Sequence, residues 1–319
     1  ARLAQVIPLR DVFVVTGEQF LSLAKSQLPQ LPPENFIPEP VGRDTAPCIG
    51  LAAVWLEMLD PNSLMFVTPA DHHIPNHHRF AVEVEAALRW AEETEGLVTL
   101  GIQPDRPEIG YGYIEKGELL SRSAGVNVHK VARFVEKPDR PTAEAYLASG
   151  RFLWNAGMFA WPVRVIREEI ARHVPELHAG LETLAASVSH KALLARLPEV
   201  FPRLPGISID YGVMVRSDKV CVIPSQLQWD DLGSWTAVAR HSIPDAEGNV
   251  LKGNVIAQDC RDVFIQSGSR LVAALGVDNL IVVETEDAVL ICSPERVQDV
   301  RKIATLAKEK GPRSTPVAG

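Results

Sequence analysis

Leu64-Met65-Phe66-Val67-Thr68-Pro69-Ala70-Asp71-His72-His73 is an apolar run that stops at a turn, and the segments on either side of it decide the fold. Residues 79–95 carry a helical period and residues 97–102 return to an apolar run, a strand-helix-strand unit of the kind that builds an α/β sheet. Working towards the amino terminus, the same alternation predicts a strand at 12–15, a helix at 18–28, a short strand at Phe36-Ile37 and a long helix over 45–59. That helix has Asp44 or Thr45 as its cap and Pro47 in its first turn. The expected architecture is a Rossmann-like, doubly wound α/β sheet, mostly parallel, with helices on both faces. Asp71 then falls just past the carboxyl end of a strand, where such sheets present their ligands. Asp231, in Trp229-Asp230-Asp231-Leu232-Gly233-Ser234-Trp235, closes a second apolar run in the same way.

Working towards the carboxyl terminus, residues 104–141 become strand-rich and suggest an inserted antiparallel lid. Helices are expected at 142–148, 164–173 and 191–196, the last two ending near Pro175 and Pro198. Past Ser242 short apolar runs recur every eight to ten positions between turn residues, the spacing of a small all-β module. A terminal helix is expected over 297–308. Its narrow apolar stripe, Val297, Val300, Ile303, Ala304 and Ala307, lacks an obvious mate and so predicts a homodimer through this module, the alternative being that the helix folds back on the chain's own first domain. The domains expected are 1–241 and 242–310, with a disordered Pro/Ser/Thr/Gly tail over 311–319. At the other end, Ala1-Arg2-Leu3-Ala4-Gln5-Val6-Ile7 reads as the close of a helix, and an earlier strand, loop and helix start are expected to precede it.

Composition narrows the function. The chain has 319 residues, 46% hydrophobic and 23% charged, with a formal net charge of −8. No Lys/Arg run has the density of a nucleic-acid arm, so neither nucleic acid nor a membrane is an expected partner. No apolar stretch approaches the roughly 20 residues that span a bilayer. Cys48, Cys221, Cys260 and Cys292 lack the paired spacing of zinc or redox sites and read as reduced thiols in cytoplasm.

Several short strings carry chemistry. Glu136 and Lys137, in Arg133-Phe134-Val135-Glu136-Lys137-Pro138, stand where a strand stops; they are either an exposed charge pair at a strand end or, pointing to opposite faces of extended chain, groups for two parts of one ligand, hydroxyls and phosphate. Asn155 and Gly157, in Trp154-Asn155-Ala156-Gly157-Met158-Phe159, form either an Asn-Gly-type turn or a place where backbone approaches a ligand. Gly112, in Gly110-Tyr111-Gly112-Tyr113-Ile114, has the same dual reading. His72, His73, His77 and His78 are scattered by a loop entering a helix and do not suggest zinc. Ser208-Ile209-Asp210-Tyr211-Gly212 lacks a nucleophile elbow. With Asp71 and Asp231, these strings point to a magnesium-dependent sugar-phosphate site.

In their order along the chain, and with Gly42-Arg43-Asp44-Thr45-Ala46-Pro47 before them, the strings resemble those of bacterial mannose-1-phosphate guanylyltransferases, members of the sugar nucleotidyltransferase superfamily. The resemblance runs from about Val12 to Ala239, and the β module is similar to that family's short, left-handed β-helix-like carboxyl domain. It implies a mixed sheet and a guanylyl transfer from GTP to mannose 1-phosphate. It also implies that Asp71 and Asp231 bind Mg²⁺, that Gly112, Glu136, Asn155 and Gly157 hold the mannosyl group, and that Lys137 meets its phosphate. Arg43 and Thr45 fall in the string expected to meet the nucleotide. Glu39 is assigned to guanine on chemical grounds, because one carboxylate can accept from both N1–H and N2–H. The family's Gly-rich signature loop would precede the first residue of this sequence. Two alternatives stand beside this reading: another sugar-1-phosphate nucleotidyltransferase, and a non-catalytic nucleotide-sugar-binding regulatory subunit.

Overall fold

The computed structural model describes residues 2–123 and 125–310, so the tail expected at 311–319 lies outside the described residues. The chain divides into two compact units: residues 1–70 with 74–229, and residues 71–73 with 230–319.

The first unit opens with β1 (Val14–Gly17), α1 (Leu21–Gln27) and β2 (Phe36–Glu39); β1 and β2 pair in parallel. Helix α2 (Thr45–Leu59) comes next. Its start is set by Asp44, whose side chain accepts the Thr45 N–H at 2.7 Å, and nine of its residues from Ala46 to Trp55 are buried. Strand β3 (Leu64–Val67), α3 (His77–Thr94) and β4 (Leu97–Ile102) complete the predicted unit. Then come β5 (Gly112–Ser123), β6 (Val126–Glu136), α4 (Arg140–Ser149), β7 (Phe152–Pro162), α5 (Val163–His173), α6 (Pro175–Ala185), α7 (His190–Val200) and β8 (Val220–Ser225).

Six of these strands form one sheet in the order β3-β7-β4-β8-β6-β5. It is mixed: β4 and β8 run parallel, whereas β7 is antiparallel to β3, β4 and β5. The strand-rich stretch at 104–141 is therefore not a separate lid. Its hairpin β5–β6 joins the sheet through β7 and β8, because Tyr113, Ile114, Val126, Val128 and Phe134 bury their side chains there. Pro175 does not merely end a helix; it opens α6 at its first position, where the missing N–H costs nothing. Pro198 sits inside the last turn of α7.

The sheet is covered on both faces. Val98, Leu100 and Ile102 of β4 pack in a layer with Phe80, Val84 and Ala87 of α3, and Leu97 packs in the other with residues of α2, α5, α6 and α7. Thr99, fully buried, is the polar exception in β4. No helix among the described residues is long and apolar enough to cross a membrane.

The second unit holds α8 (Trp235–Arg240), β9 (Val250–Lys252), β10 (Val255–Gln258), β11 (Phe264–Gln266), β12 (Val272–Leu275), β13 (Ile281–Glu284), β14 (Val289–Cys292) and α9 (Val300–Lys310). Successive runs stack as parallel pairs, β10 on β12 and β9-β11-β13, and antiparallel β14 ends the second sheet. The turns repeat a left-handed residue at Asp259, Asp262 and Asn279, residue types that tolerate it. The apolar stripe expected to lack a mate is half satisfied. Val297 is buried and Val300 packs beside it against Val250, Phe264, Ile281, Trp235 and Val238, while Ile303 and Leu306 remain exposed.

Candidate active site

In the first unit, the sheet brings together Gly112 at the start of β5, Glu136 at the end of β6, and Asn155 and Gly157 in the middle of β7. Gly112 is the register partner of Glu136, and Tyr113 that of Trp154. Asn155-Ala156-Gly157 is not a turn. The strand continues through it by an irregularity against β4 between Thr99 and Gly101, where Gly157 adopts φ +63°, a left-handed conformation suited to glycine. Gly157 N–H donates to Asn155 Oδ1 at 3.1 Å, and the Thr99 hydroxyl lies 3.4 Å from the same oxygen.

Gly112 leaves room for the carboxylate of its neighbour. A Cβ on it would overlap Glu136 Oε2 and lie 3.3 Å from Asn155 Cβ. That Oε2 is buried and, among the described residues, has no hydrogen-bond partner. Burial pushes the Glu136 carboxyl above its ordinary range, against the pull of Lys137. Lys137 has φ +48°, so the chain turns back at the strand end and its ammonium sits 3.5 Å from Glu136 Oε1 instead of pointing to the opposite face. A buried, unpaired acceptor beside an amide and a cation is suited to a hydroxylated, anionic ligand.

Asp210, to which its sequence context gave no role, belongs to the same group. It begins a single wide helical turn, Asp210–Met214, and its Oδ1 accepts Asn155 Nδ2–H at 2.9 Å. Burial, then the charges of Glu136 and Asp44, push its carboxyl up to about 6. The signal available in sequence was Thr99, a polar residue inside the apolar run of β4. The contact with Asp210, 55 positions from Asn155, left none. Ser208 caps this turn, its Oγ accepting the Tyr211 N–H, and is no nucleophile.

Arg43 lies in the loop that leads into α2, and Thr45 is the first residue of that helix. Ile209 N–H donates to Thr45 Oγ1 at 2.8 Å and Ala46 N–H to Ile207 O at 3.0 Å, so the start of α2 and the turn carrying Asp210 are tied together. The Arg43 guanidinium donates to the carbonyl of Pro202. Glu39 ends β2, where the Cys48 thiol donates to its carboxylate; burial, then the Glu39 charge, push that thiol up to about 12 and leave it unreactive.

Asp71 and Asp231 lie in the second unit. They flank a two-residue antiparallel bridge in which His73 N–H donates to Asp230 O at 2.8 Å and Asp230 N–H to His73 O at 3.2 Å. Asp71 is exposed, and Asp231 Oδ1 accepts the Gly233 N–H at 2.9 Å. No group of three or more His, Cys, Asp or Glu side chains is placed to cage a metal among the described residues. A two-carboxylate donor set of hard oxygens suits a cation that keeps water and phosphate oxygens in its shell, as Mg²⁺ does. The histidines are used otherwise: the His73 ring packs tilted against His241, centroids 4.3 Å apart, and His77 and His78 open α3.

The family model for nucleotidyl transferases matches residues 4–247. The chain belongs to the nucleotidyl transferase family. Residues 253–305 of this nucleotidyl transferase match a second model, the mannose-phosphate isomerase/GMP-like β-helix domain. The chain is 40% identical to the mannose-1-phosphate guanylyltransferase of Klebsiella pneumoniae over 95% of its own length, and 38% identical to the xanthan biosynthesis protein XanB of Xanthomonas campestris over 93%. It spans 64% and 63% of the length of those two curated relatives. Among solved structures it is similar to one from Thermus thermophilus named as a mannose-1-phosphate geranyltransferase. The TM-score is 0.81 at 31% identity, with 96% of this chain and 87% of that one covered.

Proposed function

We propose that this nucleotidyl transferase forms GDP-mannose and pyrophosphate from GTP and mannose 1-phosphate. The observation that carries the reading is the cradle of Gly112, Glu136 and Asn155, with its buried acceptor oxygen waiting for a hydroxyl. The relatives named as mannose-1-phosphate guanylyltransferases supply the sugar and the base. In this reading Glu136 and Asn155 bind mannosyl hydroxyls, Gly112 and Gly157 let the ring approach the backbone, and Lys137 meets the sugar phosphate as a point charge. Arg43 and Thr45 lie at the nucleotide. A sugar-phosphate oxygen attacks the α-phosphorus of GTP in line, the new P–O bond forms as the bond to the bridging oxygen breaks, and pyrophosphate carries that electron pair away. Little covalent help is needed, so the chain's work is to position and to neutralise. Asp71 and Asp231 would hold Mg²⁺, which when bound supplies charge neutralisation at the α-phosphate. The four unpaired cysteines suit a cytoplasmic setting.

Incubation with GTP, Mg²⁺ and mannose 1-phosphate, followed by mass identification of the product, tests this directly. GDP-mannose is expected; a product with another base or sugar, or none, refutes it.

Base choice is assigned to Glu39. Glu39→Gln keeps the size but replaces one acceptor by a donor that opposes guanine N2–H. GTP should then lose about 1–3 kcal/mol of preference over ATP in kcat/KM. Unchanged discrimination in competition assays would place base reading elsewhere.

We also propose that the chain dimerises through the second unit. The exposed half of α9, Ile303 and Leu306, joins Ile256, Leu275, Val289 and Ile291 as apolar side chains left at the surface of that unit. Ile303→Glu with Leu306→Glu should shift the species to monomer in light scattering, because both side chains are outside the module's own core. A wild-type chain that is already monomeric at micromolar concentration rules the dimer out.

A further inference from the structure

We infer that Asp210 is a positioning residue of the sugar cradle: it holds the Asn155 amide with its nitrogen in place as a donor, acting on the ligand through Asn155 rather than by contact. This rests on the reading of the cradle as the mannosyl site.

The Asn155 amide has four bonding positions, two on oxygen and two on nitrogen. Its oxygen faces the Gly157 N–H at 3.1 Å and the Thr99 hydroxyl at 3.4 Å, while one nitrogen hydrogen goes to Asp210 Oδ1 at 2.9 Å. The single Thr99 hydrogen has a nearer acceptor in the Met158 carbonyl at 3.2 Å, so one oxygen lone pair and one N–H of the amide are used inside the protein, and one N–H remains. The neighbouring Glu136 Oε2 is an unpaired acceptor. The cradle therefore offers one donor and one acceptor, a combination that suits sugar hydroxyls, each of which both donates and accepts.

Reversing the amide would put an oxygen where the N–H stands. It would then oppose the Gly157 N–H with a second donor, and the cradle would present two acceptors. An ionised carboxylate at 210 prevents this, since it accepts and cannot donate. The site is a costly one for a carboxylate, being half-buried and near the charges of Glu136 and Asp44, and its side-chain partner there is the Asn155 amide. Position 210 also lies on the turn that Thr45 and Ala46 tie to the start of α2, so the acceptor is fixed by backbone.

A double-mutant cycle on the full chain decides the matter. Asp210→Ala should raise KM for mannose 1-phosphate at least tenfold with KM for GTP within twofold of wild type. In an Asn155→Ala background the same change should add less than twofold, because the residue through which it acts is gone. Asp210→Asn, whose amide can donate as well as accept, no longer forbids the reversed amide and should recover only part of the lost affinity. Thermal melts of all variants guard against a fold that has collapsed. Equal effects of Asp210→Ala in both backgrounds, or losses shared equally by both substrates, overturn the inference. Failure of the functional reading shows separately, in a wild-type chain that makes no GDP-mannose; if that chain uses another sugar 1-phosphate, the same cycle read with that sugar decides on Asp210, and if it uses none, both fall.

Discussion

Asp71→Asn and Asp231→Asn should each lower turnover by roughly a hundredfold to ten-thousandfold, the several kcal/mol typical of losing a ligand to a Lewis-acid metal. The fold should survive both. Asp71 is exposed, and Asn at 231 retains the side-chain oxygen that accepts the Gly233 N–H. Binding of Mn²⁺ should weaken in parallel, which separates a metal ligand from a residue that merely shapes the loop. Near-normal rates at saturating Mg²⁺ in either variant would remove the pair from the metal. Asp230, one residue away, is not the silent control that its sequence position suggests. It is buried, and its carboxylate accepts from Leu232 N–H and Arg240 and contacts His241. Burial raises its pKa, but those partners together outweigh burial and hold it below the ordinary value. A depressed carboxyl contributes stability above its unfolded pKa and loses it as pH falls through the folded one. Asp230→Asn should therefore melt below wild type near neutral pH, with the gap closing as pH falls into acid, rather than show a selective loss of metal.

The next largest effect is expected from Gly112→Ala. Gly112 does not adopt a left-handed conformation, so an alanine is acceptable to the backbone, and the damage comes from its methyl meeting Glu136 Oε2. The carboxylate must swing away from the cradle. Loss of a hydrogen bond to a charged group is worth about 1.5–3 kcal/mol, so kcat/KM for mannose 1-phosphate should fall by roughly ten- to a hundredfold. KM for GTP should hold. If both substrates suffer alike, the methyl has disturbed the sheet; if neither does, Glu136 is not the sugar's partner.

Much of this fold is legible in the chain itself. Helix α2 has the predicted limits, Thr45–Leu59, because an Asp cap, an early Pro and an unbroken apolar helix agree with one another. Strand β4 is equally clear. Strand β7 is not, since Asn155-Ala156-Gly157 offers a local turn and only pairing with β3, β4 and β5 makes it a strand. The hairpin β5–β6 misleads for a related reason: alternation reveals a strand but not the sheet it joins. Helix α6 is hidden by Pro175, which stops one helix and starts the next. In the cradle, Gly112, Glu136, Asn155 and Gly157 can each be picked out singly. What sequence could not supply is the bond from Asn155 to Asp210, a relation that exists only once β7 and the turn at 210 are folded together.

The place of Asn155 in a central strand has a further consequence. β7 is held by neighbours along its length, with Trp154, Ala156 and Met158 buried around the amide. On the proposed reading, the groups that would meet a sugar are thus preorganised, and the entropy of fixing them is a cost of folding and not of binding. On that reading a cradle built this way has little freedom to reshape itself around an epimer, and its selectivity would reside in rigidity.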